Sequence, residues 1–202
     1  MFRFTKGHGL GNDFLILEGE GPHSGLTDAR VRALCDRRLG VGADGILVRE
    51  TSRSGHPYMR IFNADGSKPE MCGNGLRVFA LYLVQNLGYE ATDLQIDTPA
   101  GLRIVQVSCS PGKPEGSVRV DMGCATHVSD DVTLNYEIRG EVHSVTGRHA
   151  SMGNPHFVIT GNVDLVSREQ ATTVGPLLEV HSEFPQGANI EFVACTGPEA
   201  LR

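Results

Sequence analysis

The chain has 202 residues, 40% hydrophobic and 21% charged, a balance that suits one large or two small folded domains and excludes disordered, collagen-like and low-complexity scaffolds. Eighteen basic against 24 acidic side chains give a net charge of −6, which repels phosphate backbones and argues against nonspecific nucleic-acid binding. The longest apolar run, Val78 to Val84, is too short for a membrane span, and MFRFTKGHG lacks the apolar core of a secretory leader, so a soluble cytoplasmic protein is expected. Five cysteines occur without a CxxC pair, an HExxH or a paired His/Cys set, so neither a disulfide framework nor a bound metal is expected.

Phe2 to Lys6 and Phe14 to Glu18 are short apolar stretches on either side of GHGLGND, which predicts strand, loop and strand. Thr27 can cap a helix running to about Arg38, with Val31, Leu34 and Cys35 on one face and Gly40 as its stop. Ile46 to Arg49 and Tyr58 to Phe62 are strand candidates, followed by a turn at NADGS. After Cys72, the residues Leu76, Phe79, Ala80, Leu83, Val84 and Leu87 share one face of a 3.6-residue period that Gly88 ends. Leu94 to Asp97 and Leu102 to Val107 are strands around Pro99–Gly101.

SPGKPEG at 110–116 predicts the division between an N-terminal lobe, 1–115, and a C-terminal lobe, 116–202. Beyond it, Val118 to Met122, Val132 to Ile138, Glu141 to Val145, His156 to Thr160 and Ile190 to Val193 are strand candidates. Ser167 to Val180 is a helix interrupted at Gly175–Pro176. The class is α+β with much antiparallel sheet in two lobes. ACTGPEALR, after the strand-like NIEFV, offers no closing helix or paired strand, so an incomplete second lobe is expected.

The residue with the most chemistry is Cys72. In MCGNG it immediately precedes the most periodic helix, so its sulfur lies beside unpaired backbone N–H groups and the positive end of the helix dipole, which favours the thiolate. An isolated cysteine is more often simply buried; the glycines flanking Asn74 reverse that preference by letting a carboxylate reach the backbone. GHGLGNDF lacks the lysine of a phosphate-binding loop and the strand–helix context of a dinucleotide fingerprint, and is by itself a connection between strands. SMGNPHF sets Asn154 and His156 on either side of a proline that fixes the backbone, and His156 can share a proton with a thiol or serve as a structural histidine. Asn63 and Asn189 sit where turns are expected and are polar ligand contacts only if those turns face a cleft.

The ordered blocks KGHGLGNDF (6–14), CDRRLGVGADG (35–45), RIFNADGSKPEMCGNGLRVFA (60–80), SMGNPHFVI (151–159) and FPQGANIEFV (184–193) closely resemble diaminopimelate epimerases. The resemblance implies two pseudo-symmetric lobes, each a curled sheet around a central helix, and a cofactor-independent isomerase acting on a small amino acid. It implies interconversion of LL- and meso-2,6-diaminopimelate for lysine and peptidoglycan precursors, by two cysteines on opposite faces of the α-carbon, in a cytoplasmic homodimer without nucleic-acid or membrane partners. On these matches Cys72 is the first base and His156 adjusts the thiol's proton affinity. Gly73 and Asn74 hold the reacting carboxylate, while Asn12, Asn63, Asn154 and Asn189 contact substrate. Gly45 stands where some relatives carry a glutamine. Cys195 matches a turn rather than the family's second cysteine, which the resemblance places downstream of Arg202, so little inversion by the 202-residue chain is expected. Two alternatives stay open: a noncatalytic or one-base amino-acid-binding relative, and an epimerase of the same fold acting on another amino acid.

Overall fold

Side-chain alternation along the first strands sends their apolar residues to two different helices. In the structure, a computed structural model that describes residues 3–19, 25–161, 167–197 and 200–201, β1 (Phe4–Gly9) and β2 (Asn12–Glu18) form an antiparallel hairpin. Four consecutive residues of β2, Phe14 to Leu17, are buried. Phe14 and Ile16 join the cluster around the long helix α2 (Gly73–Leu87), whereas Leu15 and Leu17 join that around α1 (Asp28–Cys35). β3 (Gly45–Thr51) divides likewise, Leu47 to the first cluster and Ile46 and Val48 to the second. An unbroken apolar run is what a strand covered on both faces requires.

β4 (Pro57–Asn63), β5 (Leu94–Thr98), β6 (Gly101–Cys109) and β7 (Gly116–Asp121) complete a seven-stranded sheet in sequential order, with β2–β3 and β4–β5 parallel and the other pairs antiparallel. Buried residues of α2 meet those of β2 to β6 in one cluster. Leu76, Phe79, Ala80 and Leu83 are buried as the period predicts. Val78 is buried as well, while Leu87 is 40% exposed: the sheet wraps more than one face of the helix near its start and leaves its end open. Gly88, in the left-handed conformation at φ 70°, ends α2 as expected.

The first glycine-rich segment is not an open loop. Its strands run almost to each other and only Leu10 and Gly11 turn, both at positive φ (55° and 91°), the signature of a two-residue hairpin. Gly9 serves a different purpose, since a Cβ there would lie 3.1 Å from the Asn74 carbonyl oxygen. Glycine thus lets β1 close onto the first turn of α2. α1 stops at Cys35 rather than Arg38, because Asp36 turns the chain by accepting from the Arg38 and Leu39 N–H groups, both at 2.7 Å. Phe2, placed in the first strand from sequence, lies outside the described residues.

SPGKPEG is the β6–β7 connection. The chain divides instead at Met122/Gly123, because Gly116–Asp121 pairs with Ile104–Cys109 of β6. The second unit has a five-stranded sheet in the order β12-β11-β10-β9-β8, built from β8 (Val132–Ile138), β9 (Glu141–Ser151), β10 (Pro155–Gly161), β11 (Asn189–Gly197) and β12 (Ala200–Leu201). β10 and β11 are parallel. Two short helices, α3 (Arg168–Thr173) and α4 (Gly175–Glu179), meet at the predicted Gly175–Pro176 break. Leu178 of α4 is buried with Leu134, Phe157, Ile159 and Phe184. The segment after NIEFV is paired, contrary to expectation: Cys195 opposes Leu201 and Gly197 opposes Ala200. The side chain of Cys195, expected at the surface, lies outside those described. Among the described residues no helix is long and apolar enough to cross a membrane.

Candidate active site

Cys72 is the N-cap of α2, in an extended conformation (φ −148°, ψ 110°). Its Sγ accepts a hydrogen bond from Gly75 N–H at 3.3 Å, and its carbonyl accepts from Leu76 N–H at 2.8 Å. Met71 before the cap and Leu76 after it are buried in one cluster, the arrangement of a hydrophobic staple that fixes how the chain enters the helix. The N–H groups of Gly73 and Asn74 donate to no described residue, and the first turn contains no acidic side chain. Two donors and the positive end of the helix dipole are therefore available beside the sulfur. Cys72, Gly73 and Asn74 are all half-buried.

The β1–β2 hairpin brings Asn12 to this helix start. Asn12 Nδ2 donates to Asp44 Oδ2 at 2.9 Å, and Asn74 Nδ2 lies 3.5 Å from Asn12 Oδ1. Arg77, one turn along α2, donates from Nη2 to Asn74 Oδ1 at 2.6 Å. Behind Asn12, Arg37 bridges Asp13 Oδ1 at 2.6 Å and Asp44 Oδ1 at 2.8 Å, and Lys6 Nζ lies 3.1 Å from Asp13 Oδ2. The Arg37 guanidinium, helped by Lys6 and the Asp44 N–H, holds the Asp13 carboxyl well below the usual carboxylate range. The Asn12 side chain, then the Asp13 N–H and Arg37, lower Asp44 as well. Burial pushes the Cys35 thiol up, with Asp13 and Asp44 adding to the effect.

A depressed carboxyl contributes stability that is fully present above its unfolded value, about 4, and is lost as pH falls through its folded value. Denaturant midpoints are therefore expected to fall as pH drops from 5 toward 2. Asp13→Asn should lower the midpoint at pH 7 and make that acid dependence shallower. An unchanged slope would remove Asp13 from the stabilising network.

Asn63 closes the same end of the sheet, since Gly45 opposes it on one side and Phe14 opposes Gly45. Its side chain donates to Ser67 Oγ at 2.9 Å within the turn, and the residue is exposed. At Gly45 a Cβ would lie 2.6 Å from the Phe62 carbonyl oxygen, so the backbone here leaves little room for a side chain.

The remaining candidates gather in the second unit. His156 and Asn189 are directly opposed across the parallel β10–β11 pair. His156 Nε2 is 3.0 Å from Asn154 Oδ1, its Nδ1 is 2.6 Å from Glu191 Oε1, and Asn189 Nδ2 donates to the Pro155 carbonyl at 3.2 Å. Glu191 Oε2 is buried without a hydrogen-bond partner among the described residues. The sequence reading missed Glu191, although it follows Asn189 by two residues and so projects from the same strand face. It also missed Asp44, Arg37 and Arg77.

The diaminopimelate epimerase family profile matches residues 4–128. The chain is 39% identical over 214 residues to the diaminopimelate epimerase of Moorella thermoacetica, covering 98% of this chain and 74% of that relative. It is 42% identical over 206 residues to that of Desulforudis audaxviator, covering 96% and 72% respectively. Among solved structures, a probable proline racemase from Agrobacterium radiobacter K84 superposes with a TM-score of 0.73 at 17% identity, over 100% of this chain and 69% of that one; this likeness speaks to the fold alone. A thiol at a helix start, asparagines gathered beside it, and identity of this extent along nearly the whole sequence lead to one conclusion: the chain belongs to the diaminopimelate epimerase family, a group of isomerases of α+β fold.

Proposed function

We propose that the chain binds diaminopimelate and removes the α-proton at one stereocentre, as one half of the two-base interconversion of the LL and meso forms. The observation that carries this reading is the placement of Cys72 Sγ at the start of α2, beside the N–H groups of Gly73 and Asn74, which donate to none of the described residues. An α-proton next to a carboxylate is very weakly acidic. When the Cys72 thiolate takes it, the C–H bond breaks, an S–H bond forms, and the electron pair moves onto the carboxylate oxygens. Donors aimed at those oxygens stabilise charge as it develops, and do so most effectively where water is excluded. Return of a proton to the opposite face by a second acid completes inversion.

His156, Asn154 and Asn189 supply further substrate contacts and proton tuning in this reading, and Asn12, Asn63 and Asn74 contact substrate in the first unit. The working form is a cytoplasmic homodimer that needs no cofactor and feeds lysine and peptidoglycan precursor synthesis. Iodoacetamide labelling followed by peptide mass spectrometry tests the reading. Diaminopimelate at ten times its dissociation constant is expected to slow labelling of Cys72 about tenfold by mass action, while exposed Cys124 labels unchanged. Equal Cys72 rates with and without diaminopimelate would sink it.

A further inference from the structure

Two of the asparagine amides beside Cys72 are anchored by groups that hydrogen-bond in one sense only. An ionised carboxylate can only accept and a guanidinium can only donate. Asp44 Oδ2 faces Asn12 at 2.9 Å and Arg77 Nη2 faces Asn74 at 2.6 Å, so Asn12 must turn its nitrogen to Asp44 and Asn74 its oxygen to Arg77. Both anchors are themselves held. Asp44 accepts from Arg37 at 2.8 Å and from the Asp13 N–H at 3.0 Å, and Arg77 Nε donates to the Gly73 carbonyl at 3.4 Å. What the two amides offer each other is the Oδ1 of Asn12 and the Nδ2 of Asn74, 3.5 Å apart. That separation is too long for a strong bond, so a ligand can take over both groups.

From this chain we infer that Asp44 and Arg77 are positioning residues that set the polarity of the site: Asn12 presents an acceptor to the substrate's ammonium, and Asn74 presents a donor to its carboxylate. Neighbouring acceptor and donor match the neighbouring ammonium and carboxylate of one α-carbon. The inference rests on the reading of Cys72 given above and deepens it, by assigning which polar group of the amino acid each side chain faces. Reversing either amide would set carbonyl against carboxylate or N–H against ammonium, so the anchors discriminate through repulsion as well as attraction.

Protection of Cys72 from iodoacetamide by diaminopimelate measures the effect in the full chain, alongside a thermal melt of each variant. Arg77→Met is expected to raise the half-protecting concentration about tenfold, the cost of one hydrogen bond to a charged group; Arg77→Lys, which keeps a donor, recovers most of the loss. Asn12→Asp sets two acceptor-only carboxylates against each other and should weaken protection at least as much. Adding Asp44→Asn supplies a donor to the new carboxylate and should restore it. Asp44 is exposed, Asn12 is half-buried, and neither lies on α2, which keeps this second pair independent of packing along that helix. Wild-type protein that diaminopimelate fails to protect overturns both the Cys72 reading and this inference. Protected wild type with an unchanged Arg77→Met, or a double variant no better than Asn12→Asp, overturns the inference alone.

Discussion

Replacing Cys72 with serine is expected to stop incorporation of solvent deuterium at the diaminopimelate α-carbon while leaving the protein folded. The two effects separate because Cys72 performs two tasks. As N-cap it accepts the Gly75 N–H, which a serine hydroxyl does at least as well, so stability should stay within about 0.5 kcal/mol of wild type. As proposed base it must ionise and take a proton, which an alcohol does far less readily than a thiol. The expected loss is the roughly 10²- to 10⁴-fold that a positioned base contributes. Cys72→Ala removes the cap together with the base and should in addition cost about 1 kcal/mol. Deuterium incorporation, read by mass spectrometry of recovered diaminopimelate, reports proton removal and does not require inversion. Exchange that persists in the serine variant would move the base to another residue.

That cap was legible because it depends on short-range features: a cysteine, two glycines and an apolar period within one stretch of chain. The same locality made α2, its Gly88 stop and the Gly175–Pro176 break readable. The polar network behind Asn12 was not, since Lys6, Asp13, Arg37 and Asp44 come from separate segments and each resembles an ordinary surface charge until the sheet brings them together. The length of α1 was misjudged for a related reason. Gly40 offers a stop further on, but one Asp36 side chain captures two backbone N–H groups and turns the chain first. Glycine in GHGLGND was legible as a connection between strands, but the close approach of Gly9 to the Asn74 carbonyl, 3.1 Å from an added Cβ, was not, because it involves a helix more than sixty residues away. Glu191 escaped notice because an alternating strand gives no sign of which polar residue meets a histidine on its neighbour.

The largest loss of stability is expected from Phe79→Ala. Phe79 is fully buried at the centre of α2 and belongs to the cluster that joins the helix to β2 to β6. Phe→Ala in a packed core costs about 3–5 kcal/mol, transfer and cavity together, a large part of the roughly 5–15 kcal/mol that holds a domain folded. The site depends on that packing more than on local electrostatics. α2 has no acidic residue in its first turn and no basic residue in its last, so no charged side chain offsets its dipole and the core must seat it. An acidic side chain in the first turn would stabilise the helix, but would compete with a substrate carboxylate for the N–H groups of Gly73 and Asn74. The apolar seat therefore leaves the helix start without a competing carboxylate, as the proposed substrate site requires. Leu87→Ala, at the 40% exposed end of the same helix, should cost less than about 1 kcal/mol. Urea midpoints of the two variants measure the contrast. In protein that is still folded, protection of Cys72 by diaminopimelate should weaken for Phe79→Ala and not for Leu87→Ala; equal protection in both would detach the thiol's placement from the core beneath α2.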